Sequence, residues 1–213
     1  MTEKEKMLNG KLYMPDNDET LFNERIKCKT LCYQFNNLSP DKLDERKELI
    51  KKIIDKTGNK FWVEQPFICD YGYNIEIGEN FYSNHNLTIL DCAKVTFGDN
   101  VFIAPNVSFY TAEHPIDYET RNKGLEYAKP ITVGNNVWIG GGVTILSGIN
   151  IGNNVVFRIK VSSPLPRKKL NPNADAVMVE SVMVTVSLPS LVKRSPAGFA
   201  RVIVAPIMFR MSS

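Results

Sequence analysis

The sequence predicts a mainly β chain: a triangular solenoid of six-residue strand-and-turn units, preceded by a helical segment and interrupted by one protruding loop. Three observations carry this. Units that begin with an aliphatic or aromatic residue followed by a small one recur in phase: FGDNVF and IAPNVS at 97–108, and VGNNVW, IGGGVT, ILSGIN and IGNNVV at 133–156. IGENFY at 77–82 has the same form. Residues 1–58 lack that texture and carry apolar residues at helical spacing. Between them, the period is lost after Phe109 and resumes at Val133, so residues 111–130, TAEHPIDYETRNKGLEYAKP, leave the coil.

In the helical segment, ETLFNERIKCKTLCYQFN places Leu21, Ile26, Leu31 and Phe35 on or near one face. The stretch SPDKLDERKELIKKIIDKTG opens with Ser39 as N-cap and Pro40 at the first helical position, and Gly58 supplies a stop. Its apolar stripe is Leu43, Leu49, Ile50, Ile53 and Ile54, with Lys and Glu on the solvated side. The pair is expected to pack against the main body. Cys28 and Cys32 lie four apart in the first helix, while Cys69 and Cys92 stand alone in strand-like sequence. None has the paired spacing of a structural zinc site, so they read as free, partly buried thiols with no metal.

In the solenoid, spanning 59–156, the first residue of each unit is expected to face the axis and stack on its counterpart one coil away. The second is small because the chain bends there, and Gly or Asn tolerates unusual φ and ψ at corners. One coil cannot bury its inward row alone, so several must stack. An antiparallel sheet of this period would need hairpin turns that the sequence lacks. Loops as long as 111–130 are often functional, and His114 sits at the root of this one.

The chain is 43% hydrophobic and 23% charged, ordinary for a globular protein, with a net charge of +3. That charge is too weak to make nucleic acid or an anionic membrane the main partner. No apolar run approaches the ~20 residues of a membrane span. The charged start, MTEKEKMLNGKLY, lacks the apolar stretch of a secretory signal, which leads to the expectation of a cytoplasmic protein.

From about residue 4 to 156 the chain resembles the hexapeptide-repeat acyltransferases, and among them the maltose and galactoside O-acetyltransferases. The resemblance rests on EKEKMLNGKLY, DYGYNIEIGENFYSNHNLTILD, APNVSFYTAEHPID, RNKGLEYAKPITVGNNVWIGGGV and SGINIGNNVV. It implies a left-handed parallel β-helix, a homotrimer, and acetyl transfer from acetyl-coenzyme A to a sugar hydroxyl. The family's catalytic histidine falls on His114, whose imidazole can take a proton from a hydroxyl attacking a thioester. Asn84 matches a residue near the reacting acyl group, where an amide could stabilise an oxyanion; a corner role in the coil is its other reading. Asp70 and Asp16 match acceptor-side positions, with Asp18 an alternative to Asp16. Cys92, beside Asp91, stands where galactoside enzymes carry an acidic residue. Trp138 and Gly141 resemble positions lining the cofactor channel, and an outward aromatic in a subunit contact is the other reading of Trp138. His85 reads as structural.

Residues 157–213 depart from the family. A further unit should begin at Phe157, but Arg158 replaces the small residue and nothing later keeps the period. A reading-frame change near codon 157 would produce such a boundary; a divergent tail is the other reading, and sequencing the encoding DNA separates them. By resemblance the missing coil walls the pantetheine arm, so a catalytically impaired or structural trimer is the competing function. The tail's Arg167, Lys168, Lys169, Lys193 and Arg194 match no phosphate-binding motif. A three-histidine zinc site of the kind found in some β-helices is unsupported, since only His85 and His114 are present.

Overall fold

The computed structural model describes residues 1–160 and 183–187. Three helices precede the coil. The helix α1 (Glu3–Leu8) opens on a capping box in which Thr2 and Glu5 satisfy each other's backbone N–H groups. In α2 (Glu19–Asn36), Asp18 is the N-cap, accepting from the Leu21 N–H at 3.0 Å. This helix buries Leu21, Cys28, Cys32 and Phe35, whereas Ile26 is 48% exposed. Ile26 alone was misplaced: at 3.6 residues per turn it lies about 140° round the helix from Leu21, whereas Phe35 and the half-buried Leu31 share the core side with the two cysteines.

The helix α3 (Leu43–Ile53) starts after Lys42, later than Ser39 and Pro40 suggested. Ser39 is engaged by the Asp41 carboxylate and its carbonyl closes a turn onto the Lys42 N–H, so it caps nothing. Leu43 is consequently outside the buried stripe and Arg46 inside it, with its guanidinium 2.9 Å from Glu64 and stacked on Trp62. Nor is Gly58 the helix stop. The helix ends at Ile53, and Gly58 belongs to the coil, where a Cβ would meet the Gly78 carbonyl at 2.6 Å.

The coil is a left-handed β-helix with three parallel sheets. The first contains Phe61–Val63, Phe81–Ser83, Val101–Ile103, Val137–Ile139 and Val156–Lys160, with Met183–Ser187 added antiparallel at its end. The second contains Phe67–Cys69, Leu87–Leu90, Ser108–Tyr110 and Thr144–Leu146; the third contains Ile75–Ile77, Val95–Phe97, Ile131–Val133 and Asn150–Ile151. Register shows the coil length directly: Phe61 pairs with Phe81, Trp138 with Val156, and Val101 with Val137 across the loop.

Both the first and the fifth residue of each unit face the axis, as in Phe97, Val101, Ile103, Val107 and Phe109, all buried. Phe97 stacks edge-on against Phe81 and Phe109 at 5.2 and 4.9 Å. The corners divide the work differently from the sequence expectation. Positive φ occurs at the fourth position, in Asn80, Asn86, Asn100, Asn106, Asn136 and Asn154, not at the second. Asparagine tolerates that region, and here its side chains also form a ladder, Asn80 to Asn100 to Asn136 to Asn154, at 2.8, 3.0 and 2.9 Å. The second position is glycine because adjacent coils touch there: a Cβ on Gly134 would meet the Gly152 carbonyl carbon at 2.8 Å.

Residues 111–130 form an organised excursion. Ala112–Glu113 and Tyr127–Ala128 pair antiparallel, and between them lies the short helix α4 (Tyr118–Arg121). Phe157 is half-buried against the core, one step beyond the last regular unit. The tail cations named above lie outside the described residues. No helix among the described residues is long and apolar enough to cross a membrane.

Candidate active site

The excursion holds His114 at one corner of the triangle, just past Ala112–Glu113. Its side chain is 58% exposed, and its Nε2 lies 3.7 Å from Oε1 of Glu126, the residue just before the returning strand. Glu126 is itself fixed. Its Oε2 accepts the Tyr13 hydroxyl at 2.9 Å, and the two residues exchange backbone hydrogen bonds, each 2.9 Å. Tyr13 is fully buried, and burial pushes its phenol up, so it remains a donor to the carboxylate.

Beneath this pair the coil contributes Asp70, Asp91 and Cys92. Asp91 is buried and already committed: one oxygen accepts the Asp70 and Tyr71 N–H groups at 3.0 and 2.9 Å, the other the Gly72 N–H at 2.7 Å. Burial nevertheless pushes its carboxyl up to about 6. Asp70 is half-buried and raised by burial, against the pull of Lys29 and Arg25 on α2 and with Glu126 adding to the rise. The Cys92 thiol is pushed up to about 12 by burial, and it is neutral beside Tyr13. Asp18 is the α2 cap, its carboxyl lowered by the Leu21 N–H despite partial desolvation. Asp16 has an 85% exposed side chain 3.9 Å from Arg25.

The other sequence candidates sit elsewhere. Asn84 lies at the corner that precedes the Leu87–Leu90 strand, whereas Asp91 follows the strand at its other end. Its N–H donates to the Ile103 carbonyl at 2.8 Å and its Oδ1 accepts the His85 N–H at 2.8 Å, while its amide NH2 is unpaired among the described residues. His85 is tied by Nδ1 to the Gln65 carbonyl at 2.6 Å. Gly141 is exposed on the same edge of the triangle as Asn84, two coils further on, where a Cβ would lie 3.2 Å from the Pro105 carbonyl of the intervening coil. Trp138 points outward, 48% exposed, into an open groove of about 310 Å³ with Phe102 and Val156. One chain thus gathers His114, Asp70, Cys92 and Asp16 near one corner and leaves Asn84, Gly141 and Trp138 apart from them.

Glu126 and Tyr13 escaped the sequence reading. Their pairing spans more than a hundred residues, and the one local signal was a carboxylate in the same loop as the histidine.

Residues 6–58 match the maltose acetyltransferase hexapeptide capping motif. The galactoside O-acetyltransferase of Escherichia coli K12 is 44% identical over 179 residues, covering 84% of this chain and 86% of that protein. The chain belongs to the maltose and galactoside O-acetyltransferase family. A maltose O-acetyltransferase from Clostridium difficile 630 superposes on this family member with a TM-score of 0.72 at 52% identity, covering 73% of this chain and 83% of the other. A galactoside acetyltransferase solved with coenzyme A gives 0.66 at 43% identity, covering 74% and 86%.

Proposed function

We propose that the chain moves an acetyl group from acetyl-coenzyme A to a hydroxyl of a sugar, with His114 as general base. The imidazole takes the proton as the acceptor oxygen attacks the thioester carbonyl. The C–S bond then breaks, the acetyl ester is released, and the coenzyme leaves as its thiol with the proton returned by His114. No covalent enzyme intermediate is required, and Cys92, a neutral buried thiol, is unsuited to forming one.

The observation that carries this reading is His114 facing a Glu126 that Tyr13 holds in place, beside the half-buried Asp70. Glu126 stabilises the imidazolium formed during proton transfer. Asp70, Asp16 and Cys92 form the acceptor side, the two carboxylates accepting hydrogen bonds from sugar hydroxyls. The free amide of Asn84 suits a developing oxyanion, and Trp138 and Gly141 suit a cofactor wall. These groups lie at another part of the coil, so the site is completed by a neighbouring copy, as a homotrimer provides. The likeness to a galactoside acetyltransferase solved with coenzyme A supports the co-substrate, and four free thiols fit a reducing cytoplasm.

The test compares wild type with His114→Ala over a panel of glucose, maltose and galactoside acceptors, following coenzyme A release. Loss of about 10²–10⁴-fold is expected; equal rates remove His114 from the mechanism. What favours the impaired alternative is the loss of the six-residue repeat from Phe157 on, with Arg158 where a small residue is expected. Calorimetry with acetyl-coenzyme A decides between the two, absence of binding selecting the structural trimer.

A further inference from the structure

Cys28 and Cys32, one turn apart on α2, meet Cys69 of the Phe67–Cys69 strand in the apolar interior between helix and coil. Their Sγ atoms lie 3.4 Å (Cys28 to Cys69) and 3.7 Å (Cys32 to Cys69) apart, and all three fall within 4.8 Å of one another. A triangle with those sides has a centre about 2.4 Å or less from every sulfur, against a metal–thiolate bond of about 2.3 Å. The residues are 3%, 4% and 0% exposed. Sequence spacing conceals the arrangement because its third member lies 37 positions away from the second.

Charge selects the occupant. Soft sulfur ligands take soft ions, but a cuprous trithiolate would carry two negative charges and a zinc trithiolate one. Either would leave an uncompensated negative charge in the apolar interior between helix and coil. Zinc would also lack a fourth ligand, since no His, Asp or Glu joins the group among the described residues. A trivalent metalloid meets both conditions. Arsenous acid and three thiols give a neutral trithiolate: three As–S bonds replace three As–O bonds, each thiol proton leaves in a water molecule, and no oxidant is consumed.

We propose that Cys28, Cys32 and Cys69 form a buried three-sulfur site for a trivalent thiophilic metalloid of the arsenite class. Occupation fastens α2 to the second sheet, and entry requires that helix to lift, so binding is slow and raises the melting temperature.

The full chain, reduced with a phosphine so that no competing thiol is present, is titrated with arsenite. Native mass spectrometry should show one arsenic per chain with three hydrogens lost, and X-ray absorption at the arsenic edge should show three sulfur neighbours. Cys28→Ala and Cys32→Ala should each weaken binding by roughly 100-fold or more, since losing a ligand costs at least as much as losing an outer partner. Cys92→Ala should bind as wild type does. No stoichiometric adduct, two sulfurs in place of three, or unchanged affinity in the helix variants overturns the proposal. So does one equivalent of zinc or cuprous ion on a protein that refuses arsenite. The absorption measurement uses wild-type protein, so it decides even if a variant fails to fold.

Discussion

Glu126→Gln isolates one charge at the candidate site. Glutamine keeps the shape and can still accept the Tyr13 hydroxyl at 2.9 Å, so the Tyr13–Glu126 contact that anchors the loop is retained. What disappears is a negative charge 3.7 Å from the His114 Nε2. With the histidine side chain 58% exposed, the dielectric response is close to that of water, and Coulomb's law gives about 1 kcal/mol at this separation. Applied to the imidazolium formed in the transition state, that is a five- to tenfold loss in kcat. The assay is steady-state coenzyme A release with a saturating acceptor. A His114→Ala/Glu126→Gln double variant should be no slower than His114→Ala, because the charge acts through the imidazole. An unchanged single variant, or additive losses in the double, refutes the coupling.

Three further outcomes follow from the coil. Asn100→Ala should cost about 2–3 kcal/mol in urea unfolding, from placing alanine at φ 57 and breaking the side-chain ladder; Asn100→Gly should recover the backbone part. Gly134→Ala should cost about 1–3 kcal/mol by wedging adjacent coils apart, read as a lowered melting temperature. Asp91 is raised in the folded state from 3.8 to about 6, so its stabilising contribution is complete below pH 4 and lost as pH rises through 6. Asp91→Asn should therefore remove a fall of about 3 kcal/mol between pH 4 and 6, measured as the difference between the two proteins' unfolding free energies; parallel profiles refute it.

The solenoid was legible because its rule is local: a six-residue period repeats the same contact with the coils above and below, and the break at 111–130 marked the excursion. The assignment of corner roles was not. Gly98 and Asn100 both look like turn residues, and only the approach of the next coil shows that one avoids a collision while the other adopts left-handed φ. Tertiary contacts likewise put two cysteines beside Leu21 and Phe35 on the buried face of α2 and left Ile26 out, and drew Arg46 into the α3 stripe through Glu64 and Trp62. His114 was visible through its surrounding motif. Its partner Glu126 and the anchoring Tyr13 were not, since no local pattern encodes a contact between residues 113 positions apart.

The pairing of Val101 with Val137 shows how the architecture accommodates added length. A whole extra segment enters at a vertex, folds into its own hairpin and leaves the rows above and below in step. Vertices are therefore ports where chemistry can be inserted or exchanged without renegotiating the interior, whereas an insertion within a flat side would shift every later residue out of line.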